Sequence, residues 1–168
     1  MVVCFCGHRE ISDSAGTIRT WLSRTVESLI QRGADLFYLG GYGAFDRMAA
    51  SVVREMKRDY PAIQSVLVLP YLDSTMDTSG YDGTTYPPLE NVPRRFAIIR
   101  RNEWMVQVSD VLVAYVLYTW GGAVRTLEYA RRKKKEIICY GQEDYHLVGN
   151  HAPDPTACRE RPNIQNCD

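Results

Sequence analysis

The 168 residues suffice for one domain with a sizeable core. Hydrophobic residues make up 45% of the chain, charged residues 24%, and the formal net charge is zero. Proteins that bind nucleic acids by neutralising phosphates are normally basic, and no apolar run here reaches the length of a membrane span, so we expect neither a nucleic-acid partner nor a membrane partner.

The cysteines and the N-terminus favour a cytoplasmic protein. The five cysteines are odd in number, and Cys4 and Cys6 lie two apart on a predicted strand, which suits neither a zinc pair nor a disulfide framework. The first residues lack the charged start and the cleavage site of a signal peptide. We therefore predict free thiols, no metal site and no cofactor.

Strand and helix patterns alternate along the chain. The predicted elements are strands at 2–6, 35–39, 65–69, 110–116 and 136–140, and helices at 17–31, 44–58, 94–108 and 121–134. This alternation predicts an α/β fold, a Rossmann-like three-layer sandwich around a mainly parallel sheet of five or more strands. We place one domain at 1–147. Residues 148–168 lack periodicity and are predicted to form a polar tail.

One segment, PYLDSTMDTSGYDGTTYPPLENVP at 70–93, interrupts the alternation. It is rich in Pro, Gly, Ser, Thr and Asp, and it is too long for an ordinary connection in a compact domain. We interpret it as a functional loop or lid, with a surface Ω-loop as the alternative.

Glycine follows three of the predicted strands. The segments are Gly7-His8-Arg9 after the first strand, Gly40-Gly41-Tyr42-Gly43 after the second, and Gly121-Gly122 after the fourth. Ligands of such folds bind at the carboxyl ends of strands, and a helix N-terminus reached through glycine can cradle a phosphate. Two such turns predict one shared site for a ligand with phosphate or ribose groups. The alternative is that glycine serves turn geometry alone.

Polar side chains near these strand ends have two interpretations each. Arg9 could fork onto a phosphate or carboxylate, or form a surface salt bridge. We expect His8 to orient or pack through hydrogen bonds rather than to catalyse. Asp46, in the first turn of a helix, either complements the helix dipole or accepts a ribose hydroxyl.

Two charged residues on the predicted helices, Arg101 and Glu128, also have to be interpreted. The spacing of Arg101 alone favours a solvated helix charge. Glu128 lies seven residues after Gly121, two helical turns on, so we expect it to share the inward face with the start of its helix. The alternative is an exposed partner for a nearby Lys or Arg.

Four stretches of the sequence together resemble the SLOG superfamily. They are GHR, GGYGAFDRMAA, RNEWMVQVSDVLVAYV and GGAVRTLEYARRKKKEIICY, and they cover residues 1–140. This Rossmann-like group includes the Smf/DprA DNA-processing proteins and the "lonely guy" phosphoribohydrolases. The sequence looks most like its small single-domain bacterial and phage members. The resemblance implies a nucleotide or an ADP-ribose-like ligand at the carboxyl edge of the sheet.

The phosphoribohydrolase motif P-G-G-x-G-T-x-x-E is only partly matched. Gly121, Gly122 and Glu128 are in register, but Trp120 replaces the Pro, and Val124-Arg125 replaces the Gly-Thr. The resemblance implies ligand-binding roles for Asn102 and Thr126 as well, and, in an enzyme, catalytic roles for Arg101 and Glu128. The first hypothesis is a nucleotide binder, a sensor or sequestering protein. The alternative is a hydrolase that cleaves the N-glycosidic bond of a nucleoside monophosphate. A homodimer or higher homo-oligomer is left open.

Overall fold

The computed structural model describes residues 1–141. Its elements in chain order are β1 (Val2–Gly7), α1 (Ala15–Gln31), β2 (Leu36–Leu39), α2 (Gly43–Met56), β3 (Gln64–Val68), β4 (Gly83–Thr85), α3 (Arg94–Val108), β5 (Val111–Tyr115), α4 (Gly122–Arg132) and β6 (Glu136–Cys139). The predicted tail at 148–168 and the predicted domain end at 147 lie outside the described residues.

The six strands form one all-parallel sheet in the order β4-β3-β2-β1-β5-β6. The predicted α/β Rossmann-like sandwich is therefore confirmed. From β1 the chain proceeds outward to β4 and then returns to the other side of β1 to form β5. Strand order reverses between β1 and β5, and such a switch point leaves a crevice at the carboxyl ends of the two strands.

The core lies in two layers on either side of the sheet. Phe5 belongs to the cluster with α1 and α2, whereas its neighbour Cys6 belongs to the cluster with α3 and α4. This alternation follows from the two-residue period of a strand. β5 is buried along its whole length, because helices cover both faces of the sheet.

The cysteines of the described chain are inert packing residues. Cys4, Cys6 and Cys139 are buried free thiols, in agreement with the prediction. Burial raises the pKa of Cys4 to about 12, so this thiol stays protonated at neutral pH.

The segment at 70–93 is not one uninterrupted loop. Gly83–Thr85 forms the edge strand β4 and pairs in parallel with β3, where Val66 is aligned with Gly83. The Asp82 carboxylate anchors it by accepting hydrogen bonds from the backbone N–H and the hydroxyl of Ser65, at 2.8 and 3.0 Å. This strand was not predicted, because its three residues are a glycine and two threonines between turn formers. Within residues 1–141, no helix combines the length and the apolar character needed to span a bilayer.

Candidate ligand-binding cleft

A cleft of about 270 Å³ opens at the carboxyl ends of β1 and β5, at the switch point of the sheet. The end of β1 and the N-termini of α2 and α4 form its walls, together with one side of α3. Its lining residues are Phe5, Cys6, Gly7, His8, Arg9, Tyr42, Asp46, Ile98, Arg101, Asn102, Trp120, Gly121, Gly122 and Ala123.

The structure brings eight of the predicted site residues into this cleft and leaves five outside its lining. Those lining it are Gly7, His8, Arg9, Asp46, Arg101, Asn102, Gly121 and Gly122; those outside are Gly40, Gly41, Gly43, Thr126 and Glu128. The cleft thus combines the end of β1 and the connection that leads into α4 with one side chain of α2 and three of α3.

The N-terminus of α4 is open toward the cleft. Gly121 has a φ of 103°, and a Cβ added at Gly121 or Gly122 would meet no atom of the described residues within 4 Å. No side chain within residues 1–141 caps the first turn. The first N–H groups of a helix have no intrahelical acceptor and carry partial positive charge, so this turn can receive an anion.

The N-terminus of α2 is occupied by the protein itself. Gly43 has a φ of 91°, and a Cβ there would lie 2.9 Å from the Cα of Arg9. The Ala44 N–H donates to the Arg9 carbonyl at 2.8 Å. Gly41 faces a separate hollow beside Met76. The two glycine-rich turns therefore do not form one shared cradle. In the second turn, glycine serves the close approach of the protein's own backbone.

Arg101 is buried, with 1% of its surface exposed. Its Nη1 donates to the carbonyl oxygens of Gly40 at 2.6 Å and Val68 at 2.8 Å, which ties α3 to the ends of β2 and β3. Its Nε is buried without a hydrogen-bond partner among the described residues. The interpretation as a solvated helix charge is wrong, because Arg101 lies on the side of α3 that faces the sheet.

Asp46 is the acidic counterpart of Arg101. It is buried, and its Oδ2 accepts a hydrogen bond from the Tyr42 N–H at 3.1 Å. A Cβ at Gly40 would lie 2.7 Å from this oxygen and 3.0 Å from Nη1 of Arg101, so both charged groups adjoin the same backbone atom. Burial raises the pKa of Asp46 to about 6, against the opposing effect of the Arg101 charge.

The raised pKa of Asp46 predicts a pH-dependent stability. The folded protein holds this proton more tightly than the unfolded chain, so the stabilisation is complete below pH 3.8 and is lost as the pH rises through about 6. Relative to Asp46→Asn, the wild type should lose about 1–3 kcal/mol of unfolding free energy across this range. Urea unfolding of both proteins between pH 4 and 7.5 measures it. A difference that stays constant with pH would contradict the raised pKa.

His8 organises the β5–α4 connection. Its Nε2 accepts hydrogen bonds from the backbone N–H groups of Leu117 and Tyr118, at 2.9 and 3.1 Å. These bonds require an unprotonated Nε2, and partial burial lowers the pKa of His8, which favours that form. The geometry agrees with the expected orienting role.

Glu128 is exposed on α4 and does not line the cleft. Gly121 lines the cleft but is the N-cap of α4 with a non-helical φ of 103°, so the helical spacing does not bring Glu128 to the same side. The buried face of α4 carries Thr126 and Leu127 instead. The Thr126 hydroxyl donates to the Gly122 carbonyl at 2.9 Å, a bond within the helix.

Six lining residues were not predicted from the sequence, and they are Phe5, Cys6, Tyr42, Ile98, Trp120 and Ala123. Tyr42 and Trp120 stand within or directly before the glycine-rich turns, so their position at the strand ends was an available signal. Ile98 gave none, because it lies one turn before Arg101 in an ordinary helical pattern.

Solved structures of other proteins show the same fold. DNA processing protein A from Helicobacter pylori, described for its single-stranded DNA binding mode, matches with a TM-score of 0.58 and 17% identity, over 83% of this chain and 64% of that one. The Moco carrier protein of Chlamydomonas rheinhardtii matches with a TM-score of 0.51 and 15% identity, over 82% of this chain and 74% of that one. No protein-family model and no curated protein sequence matches the chain.

At these identities the likeness establishes the fold alone, a Rossmann-like α/β fold. It also corrects one expectation. A protein with this fold binds single-stranded DNA, so the prediction of no nucleic-acid partner is wrong as an exclusion. The net charge is a sum over the whole chain and does not report local charge. Single-stranded DNA is bound by local positively charged grooves and by side chains that stack on its bases.

Proposed function

We propose that this protein binds a nucleotide or a nucleotide-derived small molecule in the cleft, with the phosphate at the N-terminus of α4. The observation that carries the proposal is the turn at Gly121-Gly122, which is open and uncapped among the described residues. It shares the cleft with the buried Arg101, whose Nε has no partner within residues 1–141. A helix N-terminus favours an anion, and a buried guanidinium in the same cleft strengthens that preference.

The rest of the lining suits the sugar of such a ligand. Asp46 can accept a hydrogen bond from a ribose hydroxyl, and Asn102 can donate or accept one. Because the Asp46 carboxyl is mostly ionised at neutral pH, it repels a phosphate and favours the phosphate position at α4. A volume of about 270 Å³ is at the small end for ligand sites and favours one nucleotide unit over a dinucleotide.

A binder is favoured over the hydrolase alternative. Glu128, the carboxylate that the family motif would use, is exposed and outside the cleft. Among the lining residues of the described chain, Asp46 is the one carboxylic acid, and its N–H partner and burial hold it in place. We therefore expect a sensor or sequestering protein that releases no base from a nucleoside monophosphate.

Single-stranded DNA is a second candidate ligand. The similar fold of DNA processing protein A binds it, and a DNA strand offers the same phosphate and base chemistry as a nucleotide. The experiment below includes it as a separate arm.

Isothermal titration with AMP, ADP-ribose and a thymidine oligonucleotide tests the proposal. In Gly122→Asp, a carboxylate at the open turn should weaken AMP and ADP-ribose binding at least tenfold, or by about 1.4 kcal/mol or more. The matched control is Gly16→Asp, which puts the same carboxylate in the exposed first turn of α1.

Equal loss of affinity in both variants, or none in either, would contradict the phosphate position. Binding of the oligonucleotide alone would assign the cleft to single-stranded DNA. Release of free adenine from AMP by the wild type would restore the hydrolase alternative.

A further inference from the structure

The connection between β5 and α4 exposes a pair of stacked aromatic rings. Tyr118 is 44% exposed and Trp120 is 73% exposed. Their ring centroids lie 5.8 Å apart with an angle of 19° between the planes. An exposed tryptophan leaves a large apolar surface in contact with water, which is unfavourable. Its position beside the cleft is therefore best explained by contact with a ligand.

The stack is held in place from below. The Tyr118 and Ser12 hydroxyls form a hydrogen bond of 2.7 Å, and the Tyr118 N–H donates to Nε2 of His8. The His8 ring itself packs on Tyr118 with its centroid 4.7 Å away. Trp120 thus rests on a tyrosine fixed at both its backbone and its hydroxyl. A ligand that stacks on Trp120 meets a platform that is already ordered, which lowers the entropic cost of binding.

We infer that Trp120, supported by Tyr118, is a stacking platform for the aromatic base of the cleft ligand, and that it makes the site selective for bases over phosphate sugars. The inference rests on the proposed function, because a phosphate bound at the N-terminus of α4 limits the positions that the base can occupy. Trp120 lines the cleft and precedes Gly121-Gly122 in the chain. Two residues of chain span at most about 7 Å, which is comparable to the length of the ribose between a phosphate and its base.

The surroundings favour a base over a protein partner. Leu117, Tyr118 and Trp120 form a short exposed apolar segment, and Arg9 and the polar cleft lie directly beside it. These three residues are few beside the roughly 20–30 residues that each partner contributes to a stable protein interface. Any base can stack on an aromatic side chain, but the contribution of stacking to affinity increases with the area of the base. Purines should therefore bind more tightly than pyrimidines.

Titration with AMP, CMP and ribose 5-phosphate tests the platform. The wild type should bind AMP about tenfold or more tightly than ribose 5-phosphate, and CMP in between. Trp120→Ala should reduce AMP affinity to that for ribose 5-phosphate and leave the latter unchanged. Trp120→Phe should retain most of the preference. Phe96→Ala is the control, because Phe96 is an exposed aromatic residue outside the cleft lining.

The outcomes separate the two proposals. Unchanged AMP affinity in Trp120→Ala overturns the platform while the proposed function stands. An equal loss for AMP and ribose 5-phosphate in that variant also overturns it, because the side chain would then act on the phosphate or on the fold. A wild type that binds none of the three compounds overturns the phosphate site and the platform together.

Discussion

Replacing Arg101 with alanine is expected to lower the free energy of unfolding by about 3–5 kcal/mol. Arg101 donates to the carbonyl oxygens of Gly40 and Val68, and both would lose this donor. The buried Asp46 would also lose the positive charge that opposes its raised pKa. Removal of one partner from such a buried set costs far more than the set contributes as a whole.

Arg100→Ala is the control, because its side chain is 60% exposed and its ion pair in the described chain is with Glu103, one turn away. Exposed pairs of this kind contribute about 1 kcal/mol or less. Urea unfolding of both variants gives the comparison, and Arg101→Ala in an Asp46→Asn background should cost less than in the wild type. Similar losses for Arg100→Ala and Arg101→Ala would show that the buried network is not what holds α3 to the sheet.

Gly43→Ala is expected to destabilise the fold by about 2–5 kcal/mol. The strain of a positive φ contributes about 1–2 kcal/mol, and the steric contact contributes about 1–3 kcal/mol. The φ of Gly43 is 91°, and the contact would be with the backbone of Arg9, which cannot turn away as a side chain could. The shift would also disturb the Ala44 N–H to Arg9 carbonyl bond, at one wall of the cleft.

Gly33→Ala isolates the backbone contribution. Gly33 has a φ of 95°, but an added Cβ there meets no atom within 4 Å in the part of the chain that the structure describes. It should therefore cost only the strain of a positive φ, about 1–2 kcal/mol. Thermal and urea unfolding of the two variants measure the difference. Equal destabilisation at Gly33 and Gly43 would mean that the contact with Arg9 relaxes freely.

Local pattern was enough to predict most of the fold. Apolar runs without alternation, as in SVLVL at 65–69, mark strands covered on both faces, and helical spacing with glycine or proline stops placed all four helices to within a few residues. The strand ends at Gly7-His8-Arg9 and Gly121-Gly122 were correctly placed at the cleft, since parallel strands bring their carboxyl ends to one edge. β4 was not predicted, because a segment of one glycine and two threonines is too short to show the two-residue period of a strand.

Only the tertiary structure decided what each glycine and each charge does. Gly43 and Gly122 occupy equivalent strand-to-helix turns in the sequence, yet the first is packed against Arg9 and the second is open. Spacing placed Arg101 and Glu128 on helices but could not say which side faces the sheet, so the expected solvated arginine is buried and the expected inward glutamate is exposed. Sequence determines the period of a helix. Which face of the helix is turned toward the sheet or the cleft depends on segments distant in the chain, because packing against those segments selects the buried face.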